Sequence, residues 1–551
     1  MATGPGAMPG SGGTGTMVGP GVGPGASAGS AGTGAQVAPP GGQLPQEVMG
    51  EQFSSPSLRR LTTVQYQNSL RELFGDAITI PSNLEPDAAL SGLKAIGAST
   101  LALSARATEL FETAARDVAN QIFNDATKRQ TLLGCDPSQQ SCLETFVADF
   151  GRRAWRRPLA ADEVTKYVSL AQSGQTASGD PWQGPSLVVS ALLQSPNFLY
   201  RVEIGTVDAA QPTRRWLDSY EVASRLSYLL WGSTPDTTLL DVAQGGTLTD
   251  PAAIATQAQR LLGDARAQAA IETFFSEYLG LGGLQAAQKL PEAFPAFTPS
   301  LRTAMEQETL LTLRTLAFDE NADFRSLLTS HTTFVNAELA ELYGMPEATG
   351  EDMSRTTLAA DSPRVGLLGH ASLLTLHSHA STSSPTLRGK FVREIMLCQS
   401  IPAPPPNVDT TLPDTAGAVT MREKLAIHAE GSCAACHSLM DPIGLALENF
   451  DGIGTYRETD NGAAIDASGT LDGVAFNDAA GLAQALSQHP RFPECVARTL
   501  YRYSMGHVEE LGEEPAITSL LTSFSGSGYK LKDLMLATAQ LPGFRYVGAL
   551  D

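Results

Sequence analysis

Apolar residues recur at helical spacing through most of the chain from about Leu58 onward. Val222, Leu226, Leu229 and Leu230 fall on one face of a 3.6-residue helix. Asp218 and Glu221 form a D-x-x-E capping pattern ahead of them, and Gly232 stands where a C-terminal cap belongs. Asp250-Pro251 places a cap and a first-turn proline before Ile254, Leu261 and Leu262, with Gly263 beyond. The same periodicity predicts helices over 64–74, 108–122, 191–200, 301–318 and 496–505. Strand patterns are scarce. The best is 465–476, where Asp472-Gly473 is a tight-turn dipeptide between two short β-like runs. The pattern predicts a mostly α, multidomain helical array with one small β-hairpin.

The first fifty residues break this pattern. They are almost entirely Gly, Pro, Ala, Ser, Thr, Val, Gln and Met, with Glu47 the first charge. Such a segment buries too little apolar surface to offset its chain entropy, so a disordered spacer is expected over 1–55. Breaks in composition suggest linkers at 205–214, 344–363 and the proline-rich 401–407. The resulting division is 56–130, 131–208, 209–348, 362–473 and 474–551, with the hairpin pattern at the junction of the last two.

Composition narrows the functional classes. The chain has 551 residues, 42% hydrophobic and 17% charged, as a folded protein of several domains should. Its 37 basic and 58 acidic residues leave a net charge of −21. That field disfavours nucleic acid and anionic membranes and suits a basic soluble partner. The arginine-rich run Arg152-Arg153-Ala154-Trp155-Arg156-Arg157 is accordingly read as a solvated or salt-bridged helix end. No window is apolar for long enough to span a bilayer. No P-loop, G-x-G-x-x-G on a strand, H-E-x-x-H or Ser-His-Asp order is present.

One run names a chemistry: Cys433-Ala434-Ala435-Cys436-His437. Two thiols and an imidazole in C-x-x-C-H order are what covalent attachment of haem c requires. Each thiol adds across a vinyl group, and the adjacent imidazole becomes the proximal ligand to iron. With 6 Cys and 8 His in the chain, chance produces the pattern in about one chain in a thousand. The alternatives are a zinc site that recruits Cys398 and Cys495 as third and fourth thiolates, and a redox dithiol or no cofactor. Cys135 and Cys142 flank a short polar loop and should pair in an oxidising compartment. Cys398 with Cys495 is a candidate second disulfide.

The landmarks in order resemble the large multidomain cytochrome-c-like proteins of planctomycetes and myxobacteria, assembled from several domains of unknown function. Leu58-Arg-Arg-Leu-Thr-Thr-Val-Gln-Tyr66 is similar to the opening of the first domain. Phe150-Gly-Arg-Arg-Ala-Trp-Arg-Arg-Pro-Leu159 and Ser195-Pro-Asn-Phe-Leu-Tyr-Arg201 are similar to the second, and Tyr220 through Tyr343-Gly344 to the third. Arg364-Val-Gly-Leu367, Thr382-Ser-Ser-Pro385, Arg388-Gly-Lys390 and the cysteine motif followed by Met440-Asp-Pro-Ile-Gly444 resemble the fourth, and 476–544 the last.

The resemblance implies one covalent haem c and extracytoplasmic electron transfer with a redox partner protein, in the periplasm or at the cell surface. It also implies an export signal, sometimes a lipoprotein anchor. The chain opens with neither a basic n-region nor an apolar h-region, so the signal or anchor is expected upstream of Met1.

The ligand opposite His437 separates a closed electron carrier from an open haem oxidoreductase. A non-redox surface binding or scaffold protein with a structural metal is the third reading. Met440 follows His437 too closely to wrap round a porphyrin and is expected at its edge. Met505 stands far enough along the chain to reach, although relatives more often carry another apolar residue there and Arg in place of His507. His507 and His379 are lesser candidates, and His377-Ser378-His379 is read as an ordinary polar loop. Arg388 is a candidate partner for a haem propionate.

Overall fold

The computed structural model describes residues 52–345, 350–402, 418–428 and 433–550. Residues 1–51 of the spacer expected over 1–55, and 403–407 of the proline-rich run 401–407, lie outside the described residues. The protein is mostly α-helical, with five small antiparallel sheets among the described residues.

Helix starts follow the local chemistry. Thr62 and Gln65 cap Thr63–Phe74 reciprocally, and Asp218 and Glu221 do the same for Ser219–Leu230. Asp250 caps Pro251–Leu262, with the proline in the first turn. The helix expected over 191–200 is instead the end of Gln183–Gln194, a break at Ser195, and one further turn over Pro196–Leu199. Proline excludes the α conformation from the residue before it, and Ser195 is extended (ψ 141°). The helix over Pro299–Leu313 runs on as a π-helical turn over Arg314–Asp319.

Two large cores organise these helices, and each is built from more than one segment. Tyr66, Leu70, Phe111 and Val118 pack with Phe146, Phe150, Val188 and Leu192, so the first two segments share one interior. The last three share another: Leu226, Trp231 and Phe275 pack with Val392 and Ile443, and with Phe492 and Leu534. Burial at about 25 cal/mol per Å² rewards whichever apolar faces meet, irrespective of their distance in sequence.

The stretch over 205–214, expected as a linker, carries structure. Thr206–Val207 pairs with Arg214–Trp216, which also pairs with Tyr546–Gly548 near the C-terminus. Ser354–Thr357, inside another expected linker, pairs with Thr332–Val335. Short strands of this kind escape pattern reading because their partners supply the stabilisation. The expected hairpin is present as Gly469–Leu471 and Val474–Phe476. Asp472 (φ 48°) and Gly473 (φ 88°) turn it through two positive-φ positions, as a type I′ turn requires.

The arginine run is engaged internally. Arg152 pairs with Asp241 and Arg157 with Glu163, both at 2.8 Å or less. Arg153 donates to the carbonyls of Glu72 and Leu73, and buried Arg156 to those of Asn197, Phe198 and Tyr200.

Candidate functional site

The cysteine motif opens the helix Ala434–Gly444, with Cys433 at its N-cap position. Cys433 and Cys436 stand three residues apart, a spacing that shares one helix face. Both are half-buried free thiols, whereas the other four cysteines are oxidised: Cys135 to Cys142 and Cys398 to Cys495. The second pairing removes the third and fourth thiolates that a Cys₄ zinc site would need.

His437 is 15% exposed at its side chain, and its Nδ1 lies 2.8 Å from Asp441 Oδ2, one turn along the same helix. Asp441 Oδ1 accepts a hydrogen bond from the Thr386 hydroxyl at 2.7 Å. With a proton on Nδ1 shared to a carboxylate, the ring lone pair resides on Nε2, the tautomer that metal-binding histidines use. Asp441 and Thr386 went unassigned in the sequence, although an i, i+4 carboxylate after a candidate ligand is a readable signal.

The motif helix is held by contacts of backbone on backbone. Pro385–Phe391 crosses it where Gly389 faces the Met440 carbonyl and Gly444 faces the Pro385 carbonyl; a β-carbon at either glycine would collide with backbone. Gly469 of the hairpin meets the Pro442 carbonyl in the same way. Arg393 adds a polar tie, donating through Nε to the Leu439 carbonyl at 3.0 Å and pairing with Asp472 of the hairpin turn at 2.7 Å. Met440 is buried in this crossing.

Beyond the end of the motif helix, Met421 and Leu425 of the helix Met421–His428 form a small cluster with Leu445. The first turn of that helix is anchored by the Met421 N–H donating to Asp460 at 2.9 Å. Leu439 of the motif helix and Ile427 of this one are each 42% exposed.

The remaining expected site residues are placed elsewhere. Arg388 is 1% exposed, and its guanidinium donates to the carbonyls of Leu447, Phe450, Asp451 and Leu374. It clamps the loop after the motif, so the expected propionate contact is corrected: the fork that would hold a carboxylate is spent on backbone. Burial pushes this guanidinium down to about 10.

Met505 is packed in the main core against Gly543, at the C-terminal end of Arg491–Met505. On that helix, Cys495 is the residue tied toward the motif, through Cys398 beside the Arg393 turn. Met505 lies ten residues farther on, roughly 15 Å along the axis. Met505 is thus taken up by the core around Gly543.

His507 is paired with both oxygens of Glu513. His377 stacks on Phe391 with ring centroids 4.3 Å apart. Phe391 is two residues from Gly389, about 200° around the helix, so this stack lies on the side away from the motif helix. His379 is exposed, and its carbonyl accepts from Lys289.

Five families match the chain in series, each described as a protein of unknown function: DUF1587 over 59–124, DUF1595 over 142–203, DUF1592 over 217–345, DUF1588 over 364–460 and DUF1585 over 472–544. No curated protein and no solved structure matches it. The chain is thus a serial, multidomain assembly of five segments similar to these families, with Cys433, Cys436 and His437 inside the one similar to DUF1588.

Proposed function

We propose that this protein is an extracytoplasmic c-type cytochrome that carries one covalent haem and exchanges electrons with a redox partner protein. The observation that carries the reading is the selective state of the cysteines: the two of the C-x-x-C-H motif are free thiols, while the other four are paired. Two disulfides suit an oxidising compartment, where haem c is attached. When bound, the haem supplies a one-electron redox centre. Cys433 and Cys436 would anchor it through thioether bonds, and His437, whose Nδ1 lies beside Asp441, would be its ligand. The family matched across the motif carries the short name PSCyt3, which agrees with this reading.

Co-expression with a haem c maturation system, followed by a haem stain on a denaturing gel, tests it. Staining of the parent and its loss in Cys433→Ala is the expected pattern. An unstained parent retires the reading in favour of a scaffold or binding protein.

A second reading, a haem oxidoreductase whose distal side is open, agrees with the commitment of Met505 and His507 to other contacts, while His379 stays exposed. Rapid carbon monoxide binding by the reduced protein would select it over a closed carrier.

A further inference from the structure

The hydrogen bond from His437 to Asp441 does more than an exposed i, i+4 pair on a helix, which contributes only a few tenths of a kcal/mol. Asp441 is 7% exposed and sits in the crossing of the two helices, so its carboxylate has left bulk water. Its two oxygens are divided between Thr386, which fixes the carboxylate, and His437 Nδ1, which the carboxylate then orients. Thr386 belongs to the helix locked against the motif by Gly389 and Gly444, so the chain Thr386–Asp441–His437 is held by backbone packing.

We propose that Asp441, steadied by Thr386, is a positioning residue that sets both the tautomer of His437 and the reduction potential of the haem it ligates. The potential claim rests on the haem reading above; the tautomer claim stands without it. A carboxylate accepting from Nδ1–H raises the basicity of the imidazole. A more electron-donating ligand, with a negative charge close by in a low-dielectric setting, favours Fe(III) over Fe(II). The loaded protein is therefore held at a lower potential than the same site with a neutral acceptor on Nδ1.

Two measurements separate these claims. In haem-free protein produced without the maturation system, ¹⁵N NMR reads the His437 tautomer directly; the expected form is Nδ1–H. In haem-loaded protein, spectroelectrochemical titration compares the parent with Asp441→Asn and Thr386→Val. Asp441→Asn should raise the reduced-to-oxidised ratio at a fixed ambient potential about tenfold, equivalent to about 59 mV for one electron. Thr386→Val, which keeps the shape and the carboxylate, should move it the same way by less. A residue that only supports the fold would alter unfolding without moving the potential. An Nε2–H tautomer in the parent, or an unchanged potential in haem-loaded Asp441→Asn, overturns the proposal. A parent that takes up no haem overturns the functional reading instead, and the NMR measurement still decides the tautomer.

Discussion

Gly444 lies against the carbonyl oxygen of Pro385 so closely that a β-carbon on the glycine would overlap the oxygen. Gly389 stands in the same relation to the carbonyl of Met440. The pair sets the depth at which two helices cross, and Thr386, Asp441 and His437 line up because of that depth. The chemistry of the site therefore begins with two residues that have no side chain.

Gly444→Ala and Gly389→Ala should each destabilise the protein by about 3 kcal/mol, since the obstructing atoms are backbone and cannot rotate away. Gly282→Ala is the control, because no atom would meet its β-carbon. Its effect should stay within about 0.5 kcal/mol. Urea unfolding of the three variants measures the difference, and equal effects would refute the crossing argument.

Arg388→Met should cost about 3 kcal/mol in haem-free protein, because it leaves the buried carbonyls of Leu447, Phe450 and Asp451 without donors. A side chain reserved for a propionate would leave haem-free stability nearly unchanged. Thermal unfolding before haem loading distinguishes the two roles.

The Cys398–Cys495 bridge closes a loop of 97 residues that encloses the motif, and Cys135–Cys142 closes one of 7. Loop entropy assigns about 4.7 kcal/mol to the first and about 2.5 kcal/mol to the second. Paired serine variants of each bridge, unfolded in guanidinium, should show that order. The reverse order would place the stabilisation in local strain or contacts instead.

His377 gives the protein a stability term that acid removes. Burial, with Arg388 nearby, pushes its ring down to about 4. The unfolded chain, with a pKa of about 6.5, then holds more protons between about pH 4 and 6.5. The contribution is full above about pH 6.5 and is lost as pH falls toward 4. Glu277 acts in the opposite sense: burial raises its carboxyl to about 7, so its contribution is lost as pH rises from about 4.5 to 7. His377→Phe, which keeps the stack on Phe391, should gain about 2 kcal/mol over the parent on going from about pH 7 to about pH 4.5. A pH-independent difference between the two proteins would refute it.

Much of the local structure was legible from the residues alone. The caps at Asp218 and Asp250 and the Asp472-Gly473 turn act through neighbours a few residues away, so their consequences follow from spacing. The break at Ser195 was also readable, since Pro196 announces it. The strands at Thr206–Val207 and Arg214–Trp216 were not, because the strand that completes their sheet lies near the C-terminus. Arg388 and Met505 misled for a related reason. A guanidinium or thioether names a set of possible partners, and only the packed chain selects among them.

The sequence by itself determined a mostly helical chain, the β-hairpin and the C-x-x-C-H motif, because each rests on covalent geometry or on contacts within a turn or two. Tertiary structure decided the joining of Cys398 to Cys495, the withdrawal of Arg388 and Met505 into the interior, and the placement of Thr386 behind Asp441 and His437. Those outcomes depend on which distant backbones approach, and at Gly389 and Gly444 that approach is permitted by atoms the sequence leaves out.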